Sequence, residues 1–75
     1  MLIAYVLIMA DSGAEKEVIE ELNELDEVDE ADIIYGEWDI ITKLNIPDIS
    51  VLSDFVLRNI RSIQGVKKTS TLIVA

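Results

Sequence analysis

The first apolar run, residues 2–9, has no polar side: Leu2, Ala4, Val6 and Ile8 fall on one parity, and Ile3, Tyr5, Leu7 and Met9, equally apolar, on the other. A short run of this kind, rich in β-branched and aromatic residues, predicts a strand covered on both faces. Asp11-Ser12-Gly13 interrupts it, and Ser12 with Glu15 three residues on has the spacing of a capping box. A helix is expected over residues 14–25, where Ala14, Val18, Ile19, Leu22 and Leu25 make one apolar stripe among acids.

A second strand is predicted over residues 28–34; Asp29, Glu30 and Asp32 suit it to a sheet edge. A third follows over residues 39–46, close enough to form a hairpin around Gly36. Pro47-Asp48 opens a second helix that runs to about residue 63, with Leu52, Phe55, Val56, Ile60 and Ile63 on one side and Gly65 at the stop position. Residues 66–74 form the last strand. The order β-α-β-β-α-β predicts an α+β, ferredoxin-like fold: a four-stranded antiparallel sheet with two helices on one face.

That architecture leaves the other sheet face bare, yet neither side of the strands is polar: both parities of the first strand are apolar, and in the last Thr71 and Ile73 alternate with Leu72 and Val74, so one set must find another partner. An apolar sheet face of this kind marks an interaction surface. The pattern therefore implies a homodimer packed sheet to sheet. Size agrees, since a 75-residue chain is a single domain that buries only about 60% of its unfolded surface and gains from association.

Charge divides the chain unevenly. Residues 1–32 carry eleven acids against one base, and residues 33–75 four acids against five bases. An overall charge of -9 repels phosphates, so direct DNA binding by this chain is not expected. Zero cysteines and zero histidines remove disulfides, thiolate metal sites and the commonest general base, and no cofactor or metal is expected. The acidic run has no calcium-loop spacing. The opening apolar stretch lacks a basic leader and is too short to span a bilayer, which suits a mature strand in a cytoplasmic protein with no membrane contact.

Two segments attract a functional reading. In Tyr35-Gly36-Glu37-Trp38-Asp39-Ile40-Ile41, Gly36 is a turn residue whose missing Cβ would also expose backbone groups to a ligand. Asp39, opening the third strand beside two isoleucines, either caps the turn or faces a cation. Trp38 is a packing residue or a ligand shelf. In Thr69-Ser70-Thr71, the period of a strand places Thr69 and Thr71 on one face and Ser70 on the other. These hydroxyls are ordinary strand residues or partners for a bound carboxylate.

These segments, with Ala4-Tyr5-Val6, the acidic first helix, Phe55 and Ile63-Gln64-Gly65-Val66-Lys67-Lys68, resemble the ligand-binding (RAM) domain of Lrp/AsnC-type transcription regulators over essentially the whole chain. Gln64 stands where that family usually has proline, and Trp38 where tyrosine is frequent. The resemblance implies a dimeric α+β barrel whose homodimers assemble to an octamer or decamer. It also implies a free amino acid held at contacts between dimers by Gly36, Trp38, Asp39, Thr69, Ser70 and Thr71, with Asp39 as the ammonium partner. The family's helix-turn-helix has no counterpart in these residues. The expectation is a stand-alone amino-acid-binding effector or oligomerisation module, without catalysis, that acts alone or by co-assembly with a full-length Lrp/AsnC-type regulator. The alternatives are a small dimeric α+β barrel enzyme and a purely structural oligomeriser.

Overall fold

The first apolar run forms β1, Leu2–Ala10, and lies inside the sheet, flanked on both sides. The structure, a computed structural model, describes residues 1–75. After β1 come α1 (Glu15–Asn23), β2 (Val28–Ile33), β3 (Ile40–Ile46), α2 (Ile49–Phe55) and β4 (Val66–Ile73), and α2 is prolonged by a single π turn, Val56–Ile60. The strands are antiparallel in the order β2-β3-β1-β4, which is the ferredoxin-like arrangement expected. The acid-rich β2 and the hydroxyl-bearing β4 are the two opposite edges.

Both helices press on one sheet face. Ala4, Val6 and Ile8 of β1 and Ile40, Leu44 and Ile46 of β3 are buried against Val18 and Leu22 of α1 and against Leu52, Phe55, Val56, Ile60 and Ile63. The apolar stripes expected for the two helices are therefore the ones that pack. Ile3, Tyr5, Leu7 and Met9 point to the opposite, helix-free face.

Local chemistry corrects several expected boundaries. No Ser12–Glu15 capping box forms: the residue preceding α1 is Ala14, in helical conformation and without a side-chain cap. Instead Gly13, at φ 87°, lets the chain turn so that the Ala14 N–H donates to the Asp11 carbonyl at 2.9 Å. A backbone turn replaces the side-chain cap, while Glu15 and Glu17 place negative charge at the positive end of the helix. Asp39 lies just before β3 rather than in it, and β2 and β4 each end one residue early.

The second helix starts as expected. Asp48 is its N-cap, accepting from the Ser50 N–H at 2.8 Å and from the Ser50 hydroxyl. Those donors, the hydroxyl foremost, hold the Asp48 carboxyl below the usual carboxylate range. A lowered folded-state pKa stabilises the fold above the unfolded value, near 4, and the gain disappears as pH falls through the folded value. Asp48→Ala is thus expected to lower the thermal midpoint at pH 7, and the gap from the parent chain to close below about pH 4 in unfolding scans across pH.

Candidate functional site

The β2–β3 hairpin builds the first part of the site. Ile33 pairs with Ile40, and the Ile34 N–H donates to the Asp39 carbonyl at 2.9 Å, closing a loop whose outer residues are Tyr35, Gly36 and Glu37. Gly36 adopts φ 133°, closed to most side chains, and nothing lies within 4 Å of where a Cβ would stand. Its backbone is accessible, as both readings of this glycine require. Tyr35 is fully exposed beside it.

Asp39 does more than cap its own turn. Its N–H donates to the Ile8 carbonyl at 2.9 Å, and its carboxylate Oδ2 accepts from the Ala10 N–H at 2.9 Å, across 29 residues of chain. The β1–β4 register shifts between Met9 and Ala10, and Asp39 supplies the acceptor for Ala10 at that irregularity. One N–H uses part of a carboxylate's acceptor capacity; the rest is open to a donor such as an ammonium group. A cleft of about 360 Å³ adjoins it, lined by Gly13, Glu15, Lys16, Ile33, Ile34, Tyr35 and Asp39. The cleft therefore offers carboxylates for a cation, the Lys16 ammonium for an anion, and an isoleucine pair for a hydrocarbon.

The second part lies across the sheet. The register pairs Thr69 with Ile8, Ser70 with Leu7 and Thr71 with Val6, so the two threonines share the helix side and Ser70 the open side. Thr69 and Thr71 line a larger cleft of about 500 Å³ between α2 and β4, with Leu52, Ser53, Val56, Leu57, Arg61 and Ile73 among its walls. Trp38 is half-buried, with the Lys68 ammonium 5.8 Å from its ring centroid, a cation–π distance.

Five of the six residues expected at the site thus fall in three places of one chain, and the sixth, Trp38, lies against Lys68. Asp39 lies in the smaller cleft beside the Gly36 loop, Thr69 and Thr71 in the larger one, and Ser70 faces the open sheet. Lys16 and Arg61 are additions that sequence reasoning missed. Lys16 sat within what reads as a solvated acidic helix. Arg61 was signalled only by Ile49 and Leu57, apolar residues off the packed stripe of the second helix and now exposed at the mouth of its cleft.

A βαββαβ unit with both helices on one sheet face and an apolar face left open is a ferredoxin-like α+β domain. The model of the Lrp/AsnC ligand binding domain matches residues 3–75, and the chain belongs to that family. An uncharacterised HTH-type transcriptional regulator of Pyrococcus furiosus is 37% identical over 73 residues, which are 93% of this chain and 49% of that protein. The chain spans about half the length of the curated relatives it matches. The crystal structure of FFRP-DM1 superposes with a TM-score of 0.95 at 36% identity, covering the whole of both chains. The transcriptional regulator NMB0573 of Neisseria meningitidis, solved as a complex with L-methionine, shares the fold at a TM-score of 0.90 and 22% identity over 99% of this chain and 49% of that one. No helix here is long and apolar enough to cross a membrane.

Proposed function

We propose that this domain is a non-catalytic sensor of a free amino acid, with Asp39 as the ammonium partner, and that ligand binding is coupled to assembly of several copies. Through that assembly it modulates transcription. The observation that carries the reading is the Asp39 carboxylate, fixed by the Ala10 N–H at the rim of a cleft that also holds Lys16. A zwitterion has one charge for each. The relationship to transcriptional regulators supports the biological setting, and the Neisseria protein that shares this fold over half its length was solved as a complex with L-methionine, which supports an amino acid as the ligand class.

The separation of the candidate residues favours a pocket completed between chains, with Gly36, Trp38 and Asp39 from one copy and Thr69 and Thr71 from another; Ser70, on the open face, lies outside both clefts. A ligand bound there stabilises the assembled state by mass action, and assembly raises ligand affinity by the same factor. The open sheet face supplies the primary homodimer contact.

Thermal unfolding and solution mass, measured with each of the twenty amino acids at millimolar concentration, test this. A small subset is expected to raise the midpoint and shift the mass, by about 2.7 kcal/mol of added stability at a hundredfold excess over Kd. Asp39→Ala costs about 1–3 kcal/mol on its own by orphaning the Ala10 N–H, so its response is read from its own baseline. Asp39→Asn keeps an acceptor for Ala10 but lacks the charge. Loss of response in both variants supports an ammonium partner at this position; no response of the parent chain to any amino acid sinks the proposal.

A further inference from the structure

The cleft beside Asp39 holds one charge more than a neutral amino acid can pair. Its walls bring together Glu15 and Lys16 at the start of α1, Ile33 and Ile34 at the end of β2, and Asp39 just before β3. Two carboxylates stand against one ammonium. Lys16 does not cancel Glu15 within the chain, because consecutive helical residues do not face each other and the only salt bridge of the chain joins Arg58 to Asp54. Asp39 already accepts the Ala10 N–H, whereas Glu15 is half-buried at the cleft without an ion-pair partner.

We propose that the amino acid sensed at this cleft carries a cationic side chain, of the lysine or arginine class, with Glu15 pairing the side-chain cation while Asp39 and Lys16 hold the α-ammonium and the α-carboxylate. The side-chain class rests on the sensing role proposed above. Three ligand charges then meet three protein charges of opposite sign. The hydrocarbon stem lies along Ile34 and the half-exposed Ile33, as long basic side chains do when they cover apolar surface with the charged head left at a partner. A neutral aliphatic side chain gains the same isoleucine contact, so the isoleucines do not discriminate. Glu15 does: once ligand and assembly cover the cleft, its carboxylate loses water and is left without a partner unless the ligand supplies one. An acidic side chain sets a like charge against it. The surrounding field acts in the same direction, since residues 1–32 carry eleven acids against one base and attract a ligand of net positive charge.

L-lysine against L-norleucine tests the assignment, because the two share an unbranched stem and differ at its end by the ammonium group. In thermal unfolding of the full chain at fixed ionic strength, lysine is expected to give its half-maximal shift at a concentration roughly tenfold or more below that of norleucine, with arginine close to lysine. Glu15→Gln, of the same size and shape, is expected to abolish that difference, and Glu15→Lys to turn the preference toward L-glutamate. Each variant is read from its own unliganded midpoint, which absorbs the changed charge at the helix start. Cadaverine, lysine without its carboxylate, is expected to act far more weakly. A cadaverine response equal to that of lysine would reduce the effect to a general attraction of cations to an acidic chain and overturn the assignment. Norleucine acting at or below the lysine concentration, or a Glu15→Gln chain that keeps the lysine preference, overturns the side-chain class and leaves amino-acid sensing standing. A chain that responds to no amino acid loses both.

Discussion

Gly65→Ala is expected to lower the thermal midpoint by roughly 10–25 °C, the equivalent of about 2–4 kcal/mol in a domain of this size. Gly65 follows the second helix with φ 103°, where a side chain is strained whatever space surrounds it. Space is lacking as well: an added Cβ would stand 2.9 Å from the Ala14 Cβ and 3.3 Å from the Val18 Cγ2. The Ala14 methyl has no rotamer to change, so relief requires the backbone of the α1 entrance to move. That movement strains the 2.7 Å hydrogen bond from the Asp11 N–H to the Gly65 carbonyl, which ties the end of β1 to the start of β4. Gly36→Ala provides the comparison. Its φ of 133° is equally unsuited to a side chain, but nothing lies within 4 Å, so only the backbone strain of about 1–2 kcal/mol applies. Unfolding scans of the two variants side by side separate strain from clash.

Gly65 also shows how far the sequence could be read. Its place after the last apolar residue of a helical stripe predicts the helix stop, but the helix ends at Ile60 and Gly65 lies in the turn that enters β4; its contact with Ala14 joins residues 51 positions apart, which no local pattern reveals. The same division holds throughout. Periodicity identified both packed helix stripes and the facing of Thr69, Ser70 and Thr71, because side-chain direction follows from φ and ψ alone. The capping box at Ser12 failed because a backbone turn through Gly13 satisfied the helix entrance first. The π turn at Val56–Ile60 has no signature in residue type, and it ends with the Arg61 N–H donating to the Val56 carbonyl at 2.8 Å. Asp39 was legible as a residue out of place between a turn and two isoleucines. Its partner, the Ala10 N–H, was not, since it depends on which strand lies beside the hairpin.

The division of the site between clefts was equally hidden. Reading Thr69-Ser70-Thr71 and Gly36-to-Asp39 as one pocket treats sequence motifs as neighbours, whereas β1, to which Asp39 is bonded at Ile8 and Ala10, runs between that loop and β4, and Trp38 meets β4 at Lys68 instead. Sequence resemblance carries residue identities but no statement of which copy contributes them. The pocket proposed to be shared between chains reconciles the motif with the topology, and the open sheet face is the contact proposed for the primary homodimer.

Leu7→Glu tests that contact with the largest effect on assembly. Leu7 lies in the middle of the open face, between Ile41 of β3 and Ser70 of β4, and shares it with Ile3, Tyr5, Met9 and the half-exposed Leu72 and Val74. Removing this area from water gains about 25 cal/mol per Å². A carboxylate at its centre instead carries a penalty of several kcal/mol per ion when covered, and a two-fold axis brings two of them together. In the single chain the position is only partly covered, so the glutamate reaches water and the fold is retained. The expected result is a chain with monomer mass at every concentration, a thermal midpoint that no longer rises with concentration, and no shift with any amino acid. Leu7→Met, which keeps volume and polarity, should retain the parent mass. A Leu7→Glu chain that still sediments as the parent assembly would move the primary interface off the sheet, and the apolar second parity of β1 would then need another covering.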